Sequence, residues 1–427
     1  MRRTFARPVD IIGVGITKLG FVTETPEIKN MTSRELWTWA CHDAMQDAGV
    51  TPKDIDAMVL GNMVSELSED QYHLGNFLVQ WAGMSTGTGS WKPAVRLEGA
   101  CTSSSHALRQ AVFSIASGIY DIVLAGGVEI NNAKISSKAP GVPRKMTNQE
   151  RLRTIYCHYD QAWDFPQLSL QDMNLSQWMM AYMKRYGLDV ETLYDVLDAR
   201  IASNYRNGQF NPRAYFNRPL KEAAAAEGFD NPRDFLRSPK HNPLANWPLR
   251  LWDGPRRCDG ASAVILCAAD MSKRFAQKPV HYLGTGNAHG TSISEEMCSH
   301  PMIVEAARQA YDMAGIGPQD VDVVEVYDFI ASEYIITLED LGYLKRGEAW
   351  KALLDGRTTF EGDKPVNPSG GSSAGSVVGS IGAVETYYLV KQLRGEAGGN
   401  QIRPLPRIAL AYDCGAARDA VVHIFGT

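Results

Sequence analysis

The sequence predicts an α/β protein made of two duplicated halves, and three observations support this prediction. The segments 44–62 (AMQDAGVTPKDIDAMVLGN) and 310–328 (AYDMAGIGPQDVDVVEVYD) align without a gap, at a constant offset of 266 residues. In each half a run of small residues then opens a helix, at Cys101 in the first half and at Gly370 in the second. Short apolar strands alternate with the helices, which is typical of α/β domains.

The aligned segments predict one α/β unit in each half. Each copy begins as a helix that ends at a glycine, Gly49 or Gly315, as expected of a left-handed C-cap. A proline-containing turn follows, and then an apolar strand, which covers 57–60 in the first copy and 323–326 in the second. Because the copies lie so far apart, duplication of a whole half explains them better than a solenoid of short repeats.

The runs of small residues predict a second repeated unit. Behind Cys101, apolar residues recur at helical spacing as far as Ala116, and an apolar strand follows at 122–125. The run 370–375 likewise precedes a helix and the strand 408–410. Since ligands bind beyond the carboxyl ends of strands in doubly wound sheets, we expect both runs to face one site.

The length of 427 residues predicts more than one domain. We expect an N-terminal half over 1–278 and a C-terminal half over 279–427, with the break near Lys278-Pro279. Residues from about 130 to 250 are rich in Asn, Pro, Arg and aromatics and show weak periodicity. This segment is predicted to be an inserted loop domain that covers the site and sets its specificity.

Composition excludes several classes of function. Hydrophobic residues make up 44% of the chain and charged residues 21%, and the net charge of −5 gives no reason to expect nucleic-acid binding. No apolar run reaches transmembrane length, and the basic start lacks the apolar run of a signal peptide, so no membrane association is expected. The seven scattered cysteines form no Cys-x-x-Cys pair, which favours neither a disulfide framework nor a metal site and suggests a reducing cytoplasm.

Cys101 is the strongest candidate for a catalytic residue. It lies in Glu98-Gly99-Ala100-Cys101-Thr102, at the predicted start of a helix. Unpaired N–H groups at a helix N-terminus favour the thiolate, so this position suits a nucleophile. The alternative is a buried structural cysteine.

Together these motifs resemble the thiolase superfamily, in the sterol-carrier-protein and lipid-transfer-protein branch, and the resemblance spans nearly the whole chain. The landmarks are EGACTSSSHA at 98–107, YDIVLAGGVE at 120–129, CDGASA at 258–263, EVYD at 325–328 and NPSGG at 367–371. The resemblance implies a five-layered αβαβα fold, a homodimer and coenzyme A as a substrate. The branch includes thiolases, acyltransferases and steroid side-chain aldolases.

The chain departs from the thiolase pattern at three places. Thiolases usually carry Asn or His where this chain has Tyr327, whereas aldolases and some C-acyltransferases of the branch carry Tyr there. The histidine that follows the Gly-Gly loop in thiolases is replaced by Ser376. The Cys-x-Gly pattern near the C-terminus becomes Asp413-Cys414-Gly415, so Cys414 lies one position away from the expected base.

Three further residues are candidates for the catalytic groups beside Cys101. Tyr327 could stabilise an oxyanion or move a proton, or it could be a hydrogen-bonded core tyrosine. His300, which precedes the helix of the second repeat, could replace the missing base, or it could cap that helix. Cys414 could act as a second thiol, or it could be a small buried apolar residue.

The sequence contains no complete phosphate-binding motif for coenzyme A, because Gly284-Thr285-Gly286 lacks the third glycine of a dinucleotide fingerprint. In the superfamily that the chain resembles, the pantetheine passes the Asp-Gly-Ala-Ser segment, which makes Ser262 a candidate, and Gly371 lies in the Gly-Gly loop. Arg256 and Arg257 could meet phosphates, or they could lie in a solvated loop. No metal site is predicted.

Three functions remain open from the sequence. The first is a thiolase or Claisen acyltransferase that cleaves or forms a carbon–carbon bond on a bulky or branched 3-ketoacyl-CoA through a Cys101 acyl-enzyme; benzoylsuccinyl-CoA thiolase is one relative with such a substrate. The second is a retro-aldol lyase on a 3-hydroxyacyl-CoA that uses Tyr327. The third is a non-catalytic acyl-CoA or lipid-binding protein. Members of the branch often work with a small OB-fold, zinc-ribbon subunit, so a partner of that kind is expected.

Overall fold

The computed structural model describes residues 4–85, 90–136, 139–158, 171–275, 277–290, 297–416 and 418–427, without the side chains of 136, 139, 140 and 171–175. The strands are β1 (Val9–Ile16), β2 (Ala57–Gly61), β3 (Ala94–Leu97), β4 (Ile122–Glu129), β5 (Ala133–Ser136), β6 (Ala139–Lys145), β7 (Leu244–Asn246), β8 (Leu249–Arg250), β9 (Gly260–Ala268), β10 (Val280–His289), β11 (Val323–Val326), β12 (Ile408–Gly415) and β13 (Asp419–Gly426). The α-helices are α1 (Ser33–Ala48), α2 (Ser65–Ser68), α3 (Leu74–Trp81), α4 (Ser103–Ala116), α5 (Asn148–Tyr156), α6 (Gln171–Tyr186), α7 (Val190–Gly208), α8 (Leu220–Ala226), α9 (Pro232–Arg237), α10 (Pro301–Ala314), α11 (Ala331–Asp340), α12 (Ala349–Leu354), α13 (Gly371–Ala374) and α14 (Ile381–Arg394).

Nine strands form one hydrogen-bonded sheet in the order β11-β12-β13-β10-β1-β9-β4-β2-β3. The two halves meet at β1 and β10, which pair antiparallel over residues 9–11 and 280–282. Outward from this seam the order repeats, because β9, β4 and β2 in the first half correspond to β13, β12 and β11 in the second. In both halves the outer pair of these strands, β4 with β2 and β12 with β11, is parallel.

Three hydrophobic clusters lie between five layers of secondary structure, and the middle cluster covers both faces of the central helix layer. One cluster lies between α1 and the outer face of the first-half strands. A second contains residues of α4, α14 and the strands of both halves, and α14 contacts strands of both halves directly. The third covers α10 and the outer face of the second-half strands. The layering is therefore αβαβα, as predicted.

The predicted internal repeat is present in the backbone. Gly49 caps α1 with φ +70°, and Gly315 caps α10 with φ +73°. Each helix also packs closely on a glycine of the neighbouring strand, since a side chain at Gly13 of β1 would collide with Ala44 of α1, and one at Gly284 of β10 would collide with Ala310. The second small-residue run forms the short helix α13, and α14 begins only at Ile381.

The segment predicted as a loop domain contains more regular structure than its weak periodicity suggests. It includes the helices α5 to α9 and the hairpins β5-β6 and β7-β8. Residues 159–170, which also belong to it, lie outside the described ranges. The division of the chain at 278/279 stays a prediction.

Candidate active site

Cys101 lies in a tight elbow between β3 and α4. Ala100 has φ +54°, in the left-handed region that a residue with a side chain rarely adopts. The Glu98 carboxylate accepts a hydrogen bond from the Ala100 N–H at 2.6 Å, and the Thr102 hydroxyl donates to Asp419 at 2.6 Å. Such a backbone conformation persists only where its surroundings hold it, so these contacts fix the position of Cys101.

The Cys101 thiol is buried and has two hydrogen-bond donors. The Tyr327 hydroxyl donates to Sγ at 3.5 Å, and the backbone N–H of Ala416 also points to it. Burial, followed by the charge of Asp413, raises the pKa of the thiol to about 12, although Tyr327 and the Arg257 guanidinium oppose this rise. The expectation that the helix N-terminus makes Cys101 a thiolate is therefore wrong, because burial of the thiol outweighs the effect of the helix.

Tyr327 directly follows β11 and is 1% exposed. Its ring lies 5.5 Å from that of Phe329, its hydroxyl donates to Cys101, and the Ser376 side chain lies nearby. Burial and the neighbouring thiol raise the pKa of the hydroxyl well above its ordinary value. The structure thus brings Tyr327 to Cys101 as a proton-bearing donor, beside the serine that replaces the expected histidine.

Asp328 anchors this strand end to the loop segment. Its Oδ2 accepts from Arg200 at 2.5 and 3.1 Å and from Asn204 at 2.7 Å, and its Oδ1 accepts from the Ser372 N–H at 2.7 Å. The Arg200 and Asp328 side chains are both fully buried. Sequence reasoning missed Arg200 and Asn204, because no motif surrounds them in α7. Asp328, at the end of the repeat, was the one signal that this strand end needs polar partners.

Asn367 and Ser369 hold the same strand from the other side. The Asn367 side chain accepts from the Val326 N–H at 2.7 Å and donates to the Val326 carbonyl at 3.0 Å. The Ser369 N–H and hydroxyl donate to Glu325 at 2.9 and 2.8 Å. Burial raises the pKa of Glu325 to about 8. The NPSGG motif therefore acts as a clamp on the end of β11.

Cys414 belongs to the same buried cluster as Cys101 and Tyr327. Burial, followed by the charge of Glu333, raises the pKa of its thiol well above the ordinary value. The adjacent Asp413 accepts hydrogen bonds from the Ser105 hydroxyl at 2.9 Å and from backbone N–H groups. The other carboxylate oxygen of Asp413, Oδ1, is buried and has no hydrogen-bond partner among the described residues. Sequence reasoning passed over Asp413, although it fills the first position of the expected Cys-x-Gly pattern.

His300 precedes α10 but does not cap it with its side chain. Its ring stacks on Trp178 with centroids 3.4 Å apart, and within the described part of the chain both ring nitrogens are buried without a hydrogen-bond partner. Burial, helped by the Arg346 charge, lowers the pKa of the ring to about 3. His300 is thus a neutral ring against Trp178, and its role as a base stays a prediction.

Ser262 is buried, and Gly371 is half-buried. The Ser262 hydroxyl donates to the Gly15 and Ala383 carbonyls at 3.1 and 3.0 Å, so it already joins β9 to β1 and α14. Gly371 has φ +55°, and a Cβ there would lie 2.8 Å from Asp328 Oδ1. Both residues therefore support the local packing, and a contact with coenzyme A stays a prediction for each.

Arg256 and Arg257 line a groove of about 560 Å³. The Arg256 guanidinium lies 4.4 Å from the Trp252 ring centre, and the Arg257 guanidinium lies 5.0 Å from that of Phe329. Arg151 also lines this groove, so its walls combine aromatic faces with positive charge. Such a surface suits a ligand that carries both a ring and phosphate groups.

Within the described ranges, no group of three or more His, Cys, Asp or Glu side chains is arranged to hold a metal ion. None of the helices in those ranges has the length and apolar character needed to cross a membrane.

Comparison with known proteins gives matches along both halves. A family model for the thiolase N-terminal domain matches residues 9–217, and one described as thiolase C-terminal domain-like matches residues 284–427. The acetyl-CoA acetyltransferase of Methanothermobacter thermautotrophicus is 34% identical over 424 residues, which cover 98% of this chain and 99% of the relative. The benzoylsuccinyl-CoA thiolase subunit BbsB of Thauera aromatica is 27% identical over 327 residues, 76% of each chain. The solved structure of an Ltp2-ChsH2(DUF35) aldolase is similar in fold, with a TM-score of 0.75 at 20% identity, and the match covers 100% of this chain and 99% of that one.

Proposed function

Because the chain belongs to the thiolase family, we propose that it is an acyl-CoA acyltransferase that cleaves or forms a carbon–carbon bond next to a thioester, with Cys101 as the nucleophile. The observation that carries this proposal is the 3.5 Å contact between the Tyr327 hydroxyl and the Cys101 sulfur, in an elbow fixed by Glu98 and Asp419. The acetyltransferase relative, which matches over nearly its full length, supports the same reaction class.

In the cleavage direction, Cys101 Sγ attacks the keto carbon of a 3-ketoacyl-CoA after its proton has left to a base. The bond between the keto carbon and the neighbouring carbon breaks, the departing acyl-CoA fragment takes a proton at that carbon, and the acyl group remains on sulfur. The thiol of a second coenzyme A then takes the acyl group and restores Cys101. Tyr327 is proposed to stabilise the developing oxyanion or to supply the proton. His300 and Cys414 are the proposed bases.

We place coenzyme A in the groove beside Arg256. The nearby Trp252 and Arg151 offer an aromatic face and a second cation for the nucleotide end of the molecule. Ser262 and Gly371 are proposed to contribute by shaping the loop next to Tyr327 rather than through free polar groups. The bulky or branched acyl group suggested by the sequence belongs to this proposal.

The test is to trap the acyl-enzyme. After incubation with acetoacetyl-CoA, the peptide that carries Cys101 gains the mass of an acetyl group, and Cys101→Ala loses both the adduct and turnover. Cys157→Ala is the matched control, because Cys157 is an exposed free cysteine. A Cys101→Ala variant with full activity would contradict covalent catalysis.

A retro-aldol lyase is the second candidate, favoured by Tyr327 and by Ser376 in place of the histidine. Such a lyase would cleave a 3-hydroxyacyl-CoA to an aldehyde or ketone and a shorter acyl-CoA, and it would leave Cys101 unacylated. The same mass measurement distinguishes the two reactions. A non-catalytic acyl-CoA-binding protein would give neither an adduct nor a product.

We also propose a homodimer and a small OB-fold, zinc-ribbon partner subunit. The structurally similar aldolase is described as Ltp2-ChsH2(DUF35), a name with two components, which supports a partner of this kind. The seven free cysteines suit a reducing compartment such as the cytoplasm.

A further inference from the structure

Arg257 lies where the groove comes nearest to the nucleophile. Its guanidinium lies 5.0 Å from the Phe329 ring centre, that ring lies 5.5 Å from the ring of Tyr327, and the Tyr327 hydroxyl reaches Cys101 Sγ at 3.5 Å. A second route leads to the same place, because the Arg257 backbone forms a β-bridge with Ser376, whose side chain lies beside Tyr327. Two aromatic side chains, Phe329 and Tyr327, therefore link the guanidinium to the reacting sulfur.

The charge of Arg257 has no counterion in the described part of the chain. Its side chain makes neither an ion pair nor a hydrogen bond there, and its guanidinium lies against the face of Phe329. Other arginines around the loop segment are paired, for example Arg200 with Asp328 and Arg250 with Asp253. Arginine stays charged in proteins and presents a fork of five N–H donors. Because Arg257 lines the groove, those donors are available to a ligand.

The ligand group that matches this fork is an anion, and a guanidinium binds carboxylates and phosphates in the same bidentate manner. Under the proposed function, the reacting carbonyl must lie at Cys101. The pantetheine arm then holds the phosphates of coenzyme A well away from that sulfur, toward Arg256 and Arg151. Arg257 consequently faces the acyl part of the substrate rather than the nucleotide.

We propose that Arg257 binds a free carboxylate on the acyl chain, so that the preferred substrates are coenzyme A thioesters of dicarboxylic acids. This inference rests on the proposed function and adds the substrate class. Phe329 and Ile330 form the apolar wall beside the guanidinium, where the chain between the thioester and the carboxylate would lie.

The experiment compares the binding of succinyl-CoA and butyryl-CoA, which share coenzyme A and chain length but end in a carboxylate or a methyl group. Binding is measured by isothermal titration calorimetry on the Cys101→Ala variant, because this substitution prevents acyl transfer. We expect succinyl-CoA to bind about 10- to 100-fold more tightly than butyryl-CoA, as a charge-assisted hydrogen-bonded pair would allow. In Cys101→Ala with Arg257→Gln, that preference falls to within about twofold, because only the succinyl ester loses a partner. The matched control, Arg256→Gln, weakens both esters alike.

Each outcome decides the matter. Equal affinity for the two esters in Cys101→Ala, or an equal loss of both in Arg257→Gln, overturns the carboxylate site while leaving the proposed function intact. If neither ester binds to Cys101→Ala, the proposed function fails and the carboxylate site fails with it. Circular dichroism and melting temperatures of the variants show that the protein remains folded.

Discussion

The Asp413 carboxylate accepts a hydrogen bond from the Ser105 hydroxyl at 2.9 Å, one helical turn beyond Cys101. Burial raises the pKa of Asp413 well above its ordinary value, and once ionised this carboxylate raises the pKa of the Cys101 thiol. Asp413→Asn keeps an oxygen for Ser105 but removes this charge, so the thiol should ionise at lower pH. We expect the rate of Cys101 alkylation by iodoacetamide to reach its midpoint at lower pH than in the unmodified protein.

Glu385→Gln is the control for this measurement. Glu385 is also a buried carboxyl group, but the largest charge effect on the pKa of Cys101 comes from Asp413. An alkylation midpoint unmoved by Asp413→Asn would show that the carboxylate does not act on the thiol.

Tyr327→Phe should lower turnover by about 10²- to 10³-fold, the loss measured for single oxyanion donors. The phenylalanine keeps the packing on Phe329 and removes only the hydroxyl that reaches Cys101. Steady-state kinetics and the melting temperature separate activity from stability. Tyr311→Phe, which removes a buried hydroxyl bonded to the Leu341 carbonyl, should leave turnover unchanged. Full activity in Tyr327→Phe would show that the Tyr327 hydroxyl takes no part in the reaction.

Arg200→Met should lower the free energy of unfolding by about 3–5 kcal/mol, because it leaves the buried Asp328 carboxylate without a positive charge beside it. Arg206→Met is the control. It breaks an exposed pair with Glu361 and should change stability by at most about 1 kcal/mol. Urea titrations measure both variants, and equal small effects would mean that Asp328 is satisfied without Arg200.

Gly371→Ala should destabilise the protein more than Gly118→Ala. Both glycines have positive φ, +55° and +78°, so both substitutions carry the backbone strain of about 1 kcal/mol. Only at position 371 does the new Cβ also meet Asn367 Nδ2 at 2.5 Å and Asp328 Oδ1 at 2.8 Å, whereas nothing lies within 4 Å at 118. Equal melting temperatures for the two variants would contradict this crowding.

Glu325 should make the protein less stable as the pH rises. Its carboxyl keeps a proton up to about pH 8 when folded, whereas an unfolded glutamate loses it near about pH 4. Between these values the folded state binds more protons, so the free energy of unfolding falls with increasing pH, by at most about 1.4 kcal/mol per pH unit from this group. Glu325→Gln should flatten that dependence in urea titrations at several pH values. The exposed Glu222→Gln should leave it unchanged, and an identical slope in both variants would argue against a proton on Glu325.

The repeat made the fold predictable. Gly49 and Gly315 lie at matching positions because a helix that ends in a left-handed residue needs glycine, and this requirement survives in the sequence as a local signal. The elbow at Cys101 and the strand end at Tyr327 were predictable for a similar reason, since the elbow opens a repeated helix and Tyr327 follows a repeated strand. Their contact follows from the way the halves face each other.

The supporting contacts could not be read from the sequence. Arg200 meets Asp328 across 128 residues, and no local pattern marks either end of such a pair. The ionisation of Cys101 was predicted in the wrong direction, because the helix start is visible in the sequence whereas the burial that outweighs it depends on tertiary packing.

Gly382 at the start of α14 approaches Ser105 of α4 so closely that even a methyl group there would collide with it. These two helix starts come from different copies of the duplication, and the two copies are unequal. The first copy holds the sulfur, and the second holds the hydroxyl and carboxylate that face it. A substitution at either helix start alters the surroundings of the other, so the two positions constrain each other. The ancestral symmetry thus persists in the backbone and has been lost in the chemistry.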